Sequence, residues 1–272
     1  MNILKTPINY PLGQDCRLVH YVHFENTPLQ YTALEIYEMK KYAVLSKKSK
    51  GVETCIVVLE GKCTVRVGDN VYSNLGTRSS VFDRIPTDSV YVGLAMDYEI
   101  EAEATCRIAI AQAPTDKVQV PYLISSDHVK IEHRGANQNK RMVHTMLSDQ
   151  DSISEKLLVV EVFTDSGNFS SYPPHKHDEA NLPKESLLEE IYYHQVFPEQ
   201  GFVFQRVYTD DRLLDQTVTC SNKDVVIVPK GYHPVGVPDG YSSYYLNVMA
   251  GPAKLWRFYD DPAHSWTKER EQ

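Results

Sequence analysis

Apolar residues along this chain fall in short blocks, and the helical period is nearly absent. Cys55-Ile56-Val57-Val58-Leu59, Ser89-Val90-Tyr91-Val92, Leu157 to Phe163, Gly201 to Tyr208, Asp224 to Val228 and Tyr244 to Met249 are rich in β-branched and aromatic residues. Gly, Pro, Asn or Asp bounds them, so each block predicts a strand. One segment, Pro183 to Glu190, has the pattern of a helical turn. Many short strands without intervening helices predict an all-β sandwich or barrel, and the length suits two of them.

The order of blocks repeats. Cys55 to Gly61, a hairpin through Gly68-Asp69, and Arg84-Ile-Pro86-Thr-Asp-Ser-Val90-Tyr-Val92 make one series. Glu190-Ile-Tyr-Tyr-His194, Gly201 to Arg206, and Val226-Ile-Val-Pro229-Lys-Gly231-Tyr-His233 make another. Both read strand, Gly turn, strand, then a Pro-containing turn into a further strand, which predicts two tandem antiparallel β-barrels. The first is expected over residues 1–115, ending near Ala113-Pro114-Thr115-Asp116. A linking segment follows over 116–150, containing Glu132-His133-Arg134-Gly135, and the second barrel with a tail takes 151–272.

With 272 residues, 42% hydrophobic and 24% charged, the chain has the composition of a folded globular protein. No stretch approaches the roughly 18 apolar residues of a membrane span, and Met1 to Tyr10 lacks the apolar core of a secretion signal. A cytoplasmic protein with no membrane partner is expected. The net charge of -8, from 36 acidic against 28 basic residues, opposes nucleic acid as a partner. A small anionic substrate stays compatible, because one or two arginines act at short range inside a pocket. The five cysteines, Cys16, Cys55, Cys63, Cys106 and Cys220, form no C-x-x-C pair, which argues against a disulfide framework or a thiolate zinc site.

The densest chemistry is Tyr172-Pro173-Pro174-His175-Lys176-His177. In a strand, residues i and i+2 share a face, so His175 and His177 project side by side, a geometry that suits two imidazoles on one metal. The prolines cannot donate to a sheet ladder and should mark the strand entrance. Leu188-Glu189-Glu190-Ile191 opens the next strand with a carboxylate, and Pro229-Lys-Gly231-Tyr-His233 adds a third imidazole. Such an N/O set suits one divalent ion, Zn, Mn, Fe, Co or Ni, without choosing among them.

This order, H-x-H, Glu, then Pro-x-Gly and His, resembles the two metal motifs of the cupin superfamily, whose barrels hold a three-His, one-Glu site. Longer segments are similar to the 5-deoxy-glucuronate isomerase family of myo-inositol catabolism: Leu158 to Asp178, Gly201 to Asp211 and Gly231 to Gly240, with Gly76 to Phe82 and Pro86 to Tyr91 in the first half. The resemblance covers nearly the whole chain and implies a two-barrel fold, a bicupin, with a metal held by His175, His177, Glu190 and His233. Two features depart from the general cupin pattern. Eleven residues, Asp178 to Leu188, separate His177 from the Glu pair, and the Pro-x-Gly-x-His spacing is one residue short. Glu190 is favoured over Glu189 because it stands directly before Ile-Tyr-Tyr. In the first half no H-x-H precedes the Ile-Val-Val-Leu strand and Val90 follows Pro86, so that barrel is expected to be metal-free.

The resemblance implies an aldose-to-ketose isomerisation of a small sugar acid, 5-deoxy-D-glucuronate to 5-dehydro-2-deoxy-D-gluconate. Such a reaction needs a Lewis acid, a proton carrier and a cation for the distant carboxylate. His194 and Tyr192 alternate with Glu190 on one strand and are the candidates for proton transfer. Arg206 is the leading carboxylate clamp, with Arg134 and Arg141 as runners-up, although alternation leaves open whether Gln205 or Arg206 faces inward. Asp178 to Leu188 is a candidate lid, Tyr241 to Asn247 offers groups for sugar recognition, and the tail from Trp256 to Trp266 reads as a strap or a subunit contact in a possible homo-oligomer. The rival readings are a cupin dioxygenase and a non-catalytic sugar-binding cupin.

Overall fold

The computed structural model describes residues 2–271. In chain order its strands begin β1 (Leu4–Lys5), β2 (Tyr10–Pro11), β3 (Cys16–Val22), β4 (Ala33–Met39), β5 (Val44–Lys48) and β6 (Val52–Glu60). Next come β7 (Cys63–Val67), β8 (Asn70–Leu75), β9 (Ser89–Val92), β10 (Asp97–Ala102), β11 (Cys106–Pro114) and β12 (Tyr122–Ile124). They continue with β13 (Lys130–Arg134), β14 (Arg141–Leu147), β15 (Leu158–Thr164), β16 (Phe169–Ser170), β17 (His175–Lys176), β18 (Asp178–Asn181) and β19 (Glu185–Leu187). The last are β20 (Glu189–Phe197), β21 (Phe202–Tyr208), β22 (Asp215–Ser221), β23 (Val225–Val228), β24 (Val235–Gly236), β25 (Ser242–Ala250) and β26 (Tyr259–Asp260). All six apolar blocks singled out in the sequence lie in strands to within one residue, and no helix among the described residues is long and apolar enough to cross a membrane.

Contacts divide the chain into two compact units. The N-terminal unit joins Pro7–Lys130 to Thr145–Val159, and the C-terminal unit joins Met1–Thr6, Ile131–His144 and Val160–Gln272. In the N-terminal unit a seven-stranded sheet runs β12-β9-β6-β11-β4-β3-β2 and a four-stranded sheet runs β5-β10-β7-β8. The sheets built on the C-terminal unit run β1-β23-β20-β25-β15-β14-β13 and β16-β24-β21-β22. One order therefore serves both units: β6 corresponds to β20, β9 to β23, β11 to β25, β4 to β15, and β5 and β10 to β16 and β24.

This correspondence corrects the repeat read from the sequence by one turn. The counterpart of the Pro229–His233 turn, which connects β23 to β24, is the β9–β10 turn containing Gly93, whereas Pro86 lies before β9. A Pro turn enters the strand in one unit and leaves it in the other, so matching the prolines shifted the alignment. Ladder register agrees: Thr54 pairs with Val92, the last residue of β9, as Glu190 pairs with Val228, the last of β23.

The N-terminal core is built by Tyr37, Ile56, Val58, Val65, Val90, Ile100, Ile108 and Ile110, all buried. Each such side chain contributes about 1.5–3 kcal/mol by leaving water. The C-terminal unit buries Tyr193, Tyr208, Tyr232 and Tyr244 with little or no exposure, and the hydroxyl of Tyr244 donates to Glu161 at 2.8 Å. Its one insertion relative to the other unit lies between β16 and β20. Here the expected helical turn at Pro183 to Glu190 is a strand hairpin instead: β18 pairs with β19, and Glu190 already belongs to β20. The reason is ionic. Buried Glu185 accepts the backbone N–H groups of Asp178 at 2.7 Å and Glu179 at 3.1 Å together with Lys176 Nζ at 3.0 Å, which fixes the segment as a hairpin whatever its helical spacing.

Candidate metal centre and pocket

Each imidazole of the H-x-H motif and of the later turn is held by backbone. His177 Nδ1 bonds the Leu188 carbonyl at 3.0 Å, His233 Nδ1 bonds the Gly231 carbonyl at 2.8 Å, and His175 makes a backbone hydrogen bond at Pro173. A ring nitrogen committed as donor to a carbonyl leaves the opposite nitrogen with its lone pair outward, the tautomer a metal ligand needs. One nitrogen from each of the three histidines lies within 4.8 Å of the others. Glu190 joins them: its Oε2 stands 2.9 Å from His177 Nε2 and 3.0 Å from His233 Nε2. His233 Nε2, though that close, has no hydrogen-bond partner. Three imidazoles and a carboxylate converging on one point, with an orphaned lone pair among them, fit a divalent cation.

Charge follows the geometry. Burial by itself would raise the Glu190 carboxyl, but His233 and His177 hold it well below the usual carboxylate range. Burial, then His233 and His177, push His175 well below the usual imidazole range. The second Glu190 oxygen is engaged by the side-chain amide of Asn247 on β25, which orients the carboxylate toward the histidines.

Lys176, between the two histidines, turns the other way. Its ammonium donates to Asp178 at 2.8 Å and to Glu179 and Glu185 at 3.0–3.1 Å, and the other oxygen of Asp178 accepts the Gly231 N–H at 2.7 Å. The segment carrying His175 and His177 is thereby tied to the turn carrying His233. Gly231 has φ +96, and a Cβ there would stand 2.5 Å from the Tyr208 carbonyl, so only glycine fits this turn.

Beside the histidines opens a pocket of about 410 Å³, its mouth included. His175, Glu190 and Tyr192 line one side, Ser171, Tyr245 and Asn247 the middle, and Val143, Val160, Val162, Arg134 and Arg141 the other, with Trp256 closing the wall. Arg134 lies over the Trp256 ring at 5.6 Å. Arg141 bonds the Asn139 carbonyl at 2.8 Å, across a loop in which Gly135, at φ +78, would put a Cβ 2.7 Å from that guanidinium.

Two candidates are placed elsewhere. Arg206 lies outside the pocket and forms a bidentate pair with Asp215 at 2.8 and 2.7 Å, its side chain 40% exposed. Pairing of β21 with β22 sets the alternation, so Gln205 is the inward residue and is fully buried. His194 is also fully buried and does not line the pocket. Its Nε2 bonds the Gln205 amide oxygen at 2.9 Å, Gln205 in turn reaches the His233 carbonyl at 3.4 Å, and burial holds the imidazole down at about 4. His194 therefore supports the His233 turn through Gln205. Tyr192, which does face the pocket, lies 3.0 Å from the Ser171 hydroxyl, and burial followed by Glu190 raises its phenol well above the usual range.

Sequence reasoning gave the tail no chemistry, yet Trp256 walls the pocket and the Phe258 ring lies 4.7 Å from that of His175. Pairing of β26 with β17 brings them there. A two-residue strand carries no pattern from which that contact could have been read.

The KduI/IolB family model matches residues 9–267. A 5-deoxy-glucuronate isomerase of Listeria monocytogenes serovar 1/2a is 51% identical over 270 residues, 99% of each chain. One of Bacillus subtilis (strain 168) is 52% identical over 268 residues, 98% of this chain and 99% of that one. Among solved structures, an IolB-like protein from Salmonella typhimurium LT2 is similar at a TM-score of 0.94 and 40% identity, covering 98% of this chain and 100% of that chain. An oxalate decarboxylase of Lactobacillus farciminis, 11% identical, shares the cupin fold at a TM-score of 0.68 over 96% of this chain and 88% of that chain.

Proposed function

The chain belongs to the KduI/IolB family, and from that premise we propose that it is an aldose-ketose isomerase interconverting 5-deoxy-D-glucuronate and 5-dehydro-2-deoxy-D-gluconate. A small sugar acid is its partner and the cytoplasm its place of work. The C-terminal unit is the metal-binding barrel of a bicupin and the N-terminal unit a metal-free one. The observation that carries the reading is a single pocket lined by Arg134 and Arg141 and by His175 and Glu190, which belong to the cluster of three imidazoles and a carboxylate.

His175, His177, Glu190 and His233 would hold one divalent ion. When bound, it supplies Lewis acidity toward the sugar's carbonyl and the hydroxyl beside it. Arg134 and Arg141 grip the carboxylate at the far end, where planar guanidinium groups can meet both oxygens. That grip sets which carbons reach the histidines, and orientation of this kind lowers the barrier without any chemistry of its own. The Tyr192 phenol stays protonated and donates toward the substrate oxygens, with the Ser171 hydroxyl continuing the relay. Trp256 limits water at the mouth.

The reaction should proceed anaerobically without nicotinamide. Run in heavy water and followed by NMR, it should place deuterium on the carbon that changes from carbonyl to alcohol if the proton exchanges with solvent. Absence of turnover in protein carrying about one equivalent of metal would remove the substrate assignment. A requirement for oxygen would replace isomerisation by dioxygenation.

A further inference from the structure

The pocket's side chains are graded along the seven-stranded sheet. From the metal side outward, β20 presents Glu190 and Tyr192, β25 presents Tyr245 and Asn247, β15 presents Val160 and Val162, and β14 presents Val143 and Arg141. Neighbouring strands are about 4.8 Å apart, so the order of strands is an order of distance from the histidines. Among the lining residues the three valines are those with no polar side-chain atom, and they lie together between the hydroxyl-bearing middle and the arginines.

We propose that Val143, Val160 and Val162 determine specificity by facing the carbon next to the substrate's carboxylate, and so select an acid that carries no hydroxyl there. The inference rests on the reading of the pocket as an isomerase site. A six-carbon acid held by its carboxylate at Arg134 and Arg141 and by its other end at the histidines lays the adjoining carbon, C5, over β14 and β15. In 5-deoxy-D-glucuronate that carbon is a methylene, which the valines accept at no polar cost. In D-glucuronate it carries a hydroxyl that would lose water and find no partner, because valine neither donates nor accepts. The hydroxyls nearer the histidines instead meet Ser171, Tyr245 and Asn247. An apolar wall discriminates against one added hydroxyl by about 10²-fold, a modest selectivity set by desolvation rather than by a clash.

The test uses binding, so that it does not depend on turnover. Borohydride reduction of 5-deoxy-D-glucuronate and of D-glucuronate gives two open-chain acids that differ in that single hydroxyl. Titrated calorimetrically into metal-loaded protein, the deoxy acid should bind about 10²-fold more tightly. Val160→Thr and Val162→Thr keep the shape and add a hydroxyl; at least one should narrow the ratio about tenfold, mainly by improving the hydroxylated acid. Equal affinities in the wild type, or a ratio unchanged within about twofold in both variants and in Val143→Thr, would overturn the inference while leaving isomerase activity untouched. Loss of the isomerase reading looks different: no turnover of 5-deoxy-D-glucuronate, with the two-acid ratio intact.

Discussion

The two units close one topology by different chemistry at matching places. In the C-terminal unit, the connection before β20 and the turn after β23 meet through His175, His177 and His233. In the N-terminal unit, the β5–β6 turn and the β9–β10 turn meet through Ser49. Its backbone N–H donates to the Met96 carbonyl at 2.9 Å, its carbonyl accepts from Ala95 at 2.7 Å, and its hydroxyl donates to the Gly93 carbonyl while accepting the Met96 N–H at 2.9 Å. The strand entrances differ likewise. Glu190 faces imidazoles, whereas its counterpart Thr54 carries no carboxylate, and the fully buried residue before it, Glu53, accepts three backbone N–H groups, from Glu155, Lys156 and Leu157, at 2.7 Å each and the Tyr91 hydroxyl at 2.8 Å. Ordinary hydrogen bonds suffice to close this arrangement of sheets, so closure alone does not call for the histidines of the other unit.

The sharpest break of that comparison is His233→Ala. Metal content should fall from about one equivalent toward zero and kcat/KM by at least about 10³-fold, the loss of several kcal/mol of Lewis-acid stabilisation. Ser49→Ala should leave both unchanged. Retained metal in His233→Ala, measured by elemental analysis, would dissolve the distinction between the units.

Next in size is Glu53→Gln, which replaces a carboxylate on three N–H groups by an amide with one acceptor oxygen. Charge-assisted bonds of this kind are worth about 1.5–3 kcal/mol each, and a net destabilisation of about 3 kcal/mol is expected in denaturant titration. Metal stoichiometry of the folded fraction should not change. A variant as stable as the wild type would show that the N-terminal unit's carboxylate is incidental.

What the sequence disclosed follows from the range of each signal. Strand blocks are local, and all six were legible; the H-x-H motif and the Pro-x-Gly-x-His turn are local too, and the structure brings their imidazoles together. Long-range pairing was not legible. Whether Gln205 or Arg206 faces inward depends on the β21–β22 register, which alternation alone leaves open. The hairpin after His177 depends on Glu185 and Lys176 meeting across nine positions, and a helical spacing over Pro183 to Glu190 hid it. Thr54, the counterpart of Glu190, became visible only once β9 and β23 were matched by pairing rather than by proline.

Acid offers a third comparison. Glu35, on β4, is buried, and burial alone would raise its carboxyl; His23, Lys47 and Tyr37 hold it below its ordinary value. A carboxyl depressed on folding stabilises the ionised native state, so its contribution is complete above the unfolded value of about 4.3 and is lost as pH falls through the folded value. Glu35→Gln should therefore be less stable than wild type near neutrality, by about 1–3 kcal/mol, and the gap should close in acid. A gap that widened as pH fell would mean that burial, not the three partners, governs this group.

The smallest effect is expected where the units are alike. Arg206 on β21 and Arg66 on the corresponding strand β7 both lie 40% exposed in an ion pair, with Asp215 at 2.7 Å and Glu101 at 2.8 Å respectively. Exposed pairs are screened by water and salt, so Arg206→Ala should change stability by less than about 1 kcal/mol and Arg66→Ala should leave it nearly unchanged. Since neither arginine touches the pocket, KM for the sugar acid should stay within about twofold in both. Arg141→Ala is the control: losing the carboxylate contact proposed for it, which would be made equally in ground and transition states, should raise KM about tenfold or more with kcat changed less. A rise in KM for Arg206→Ala alone would return the carboxylate clamp to β21 and break the likeness between the two small sheets.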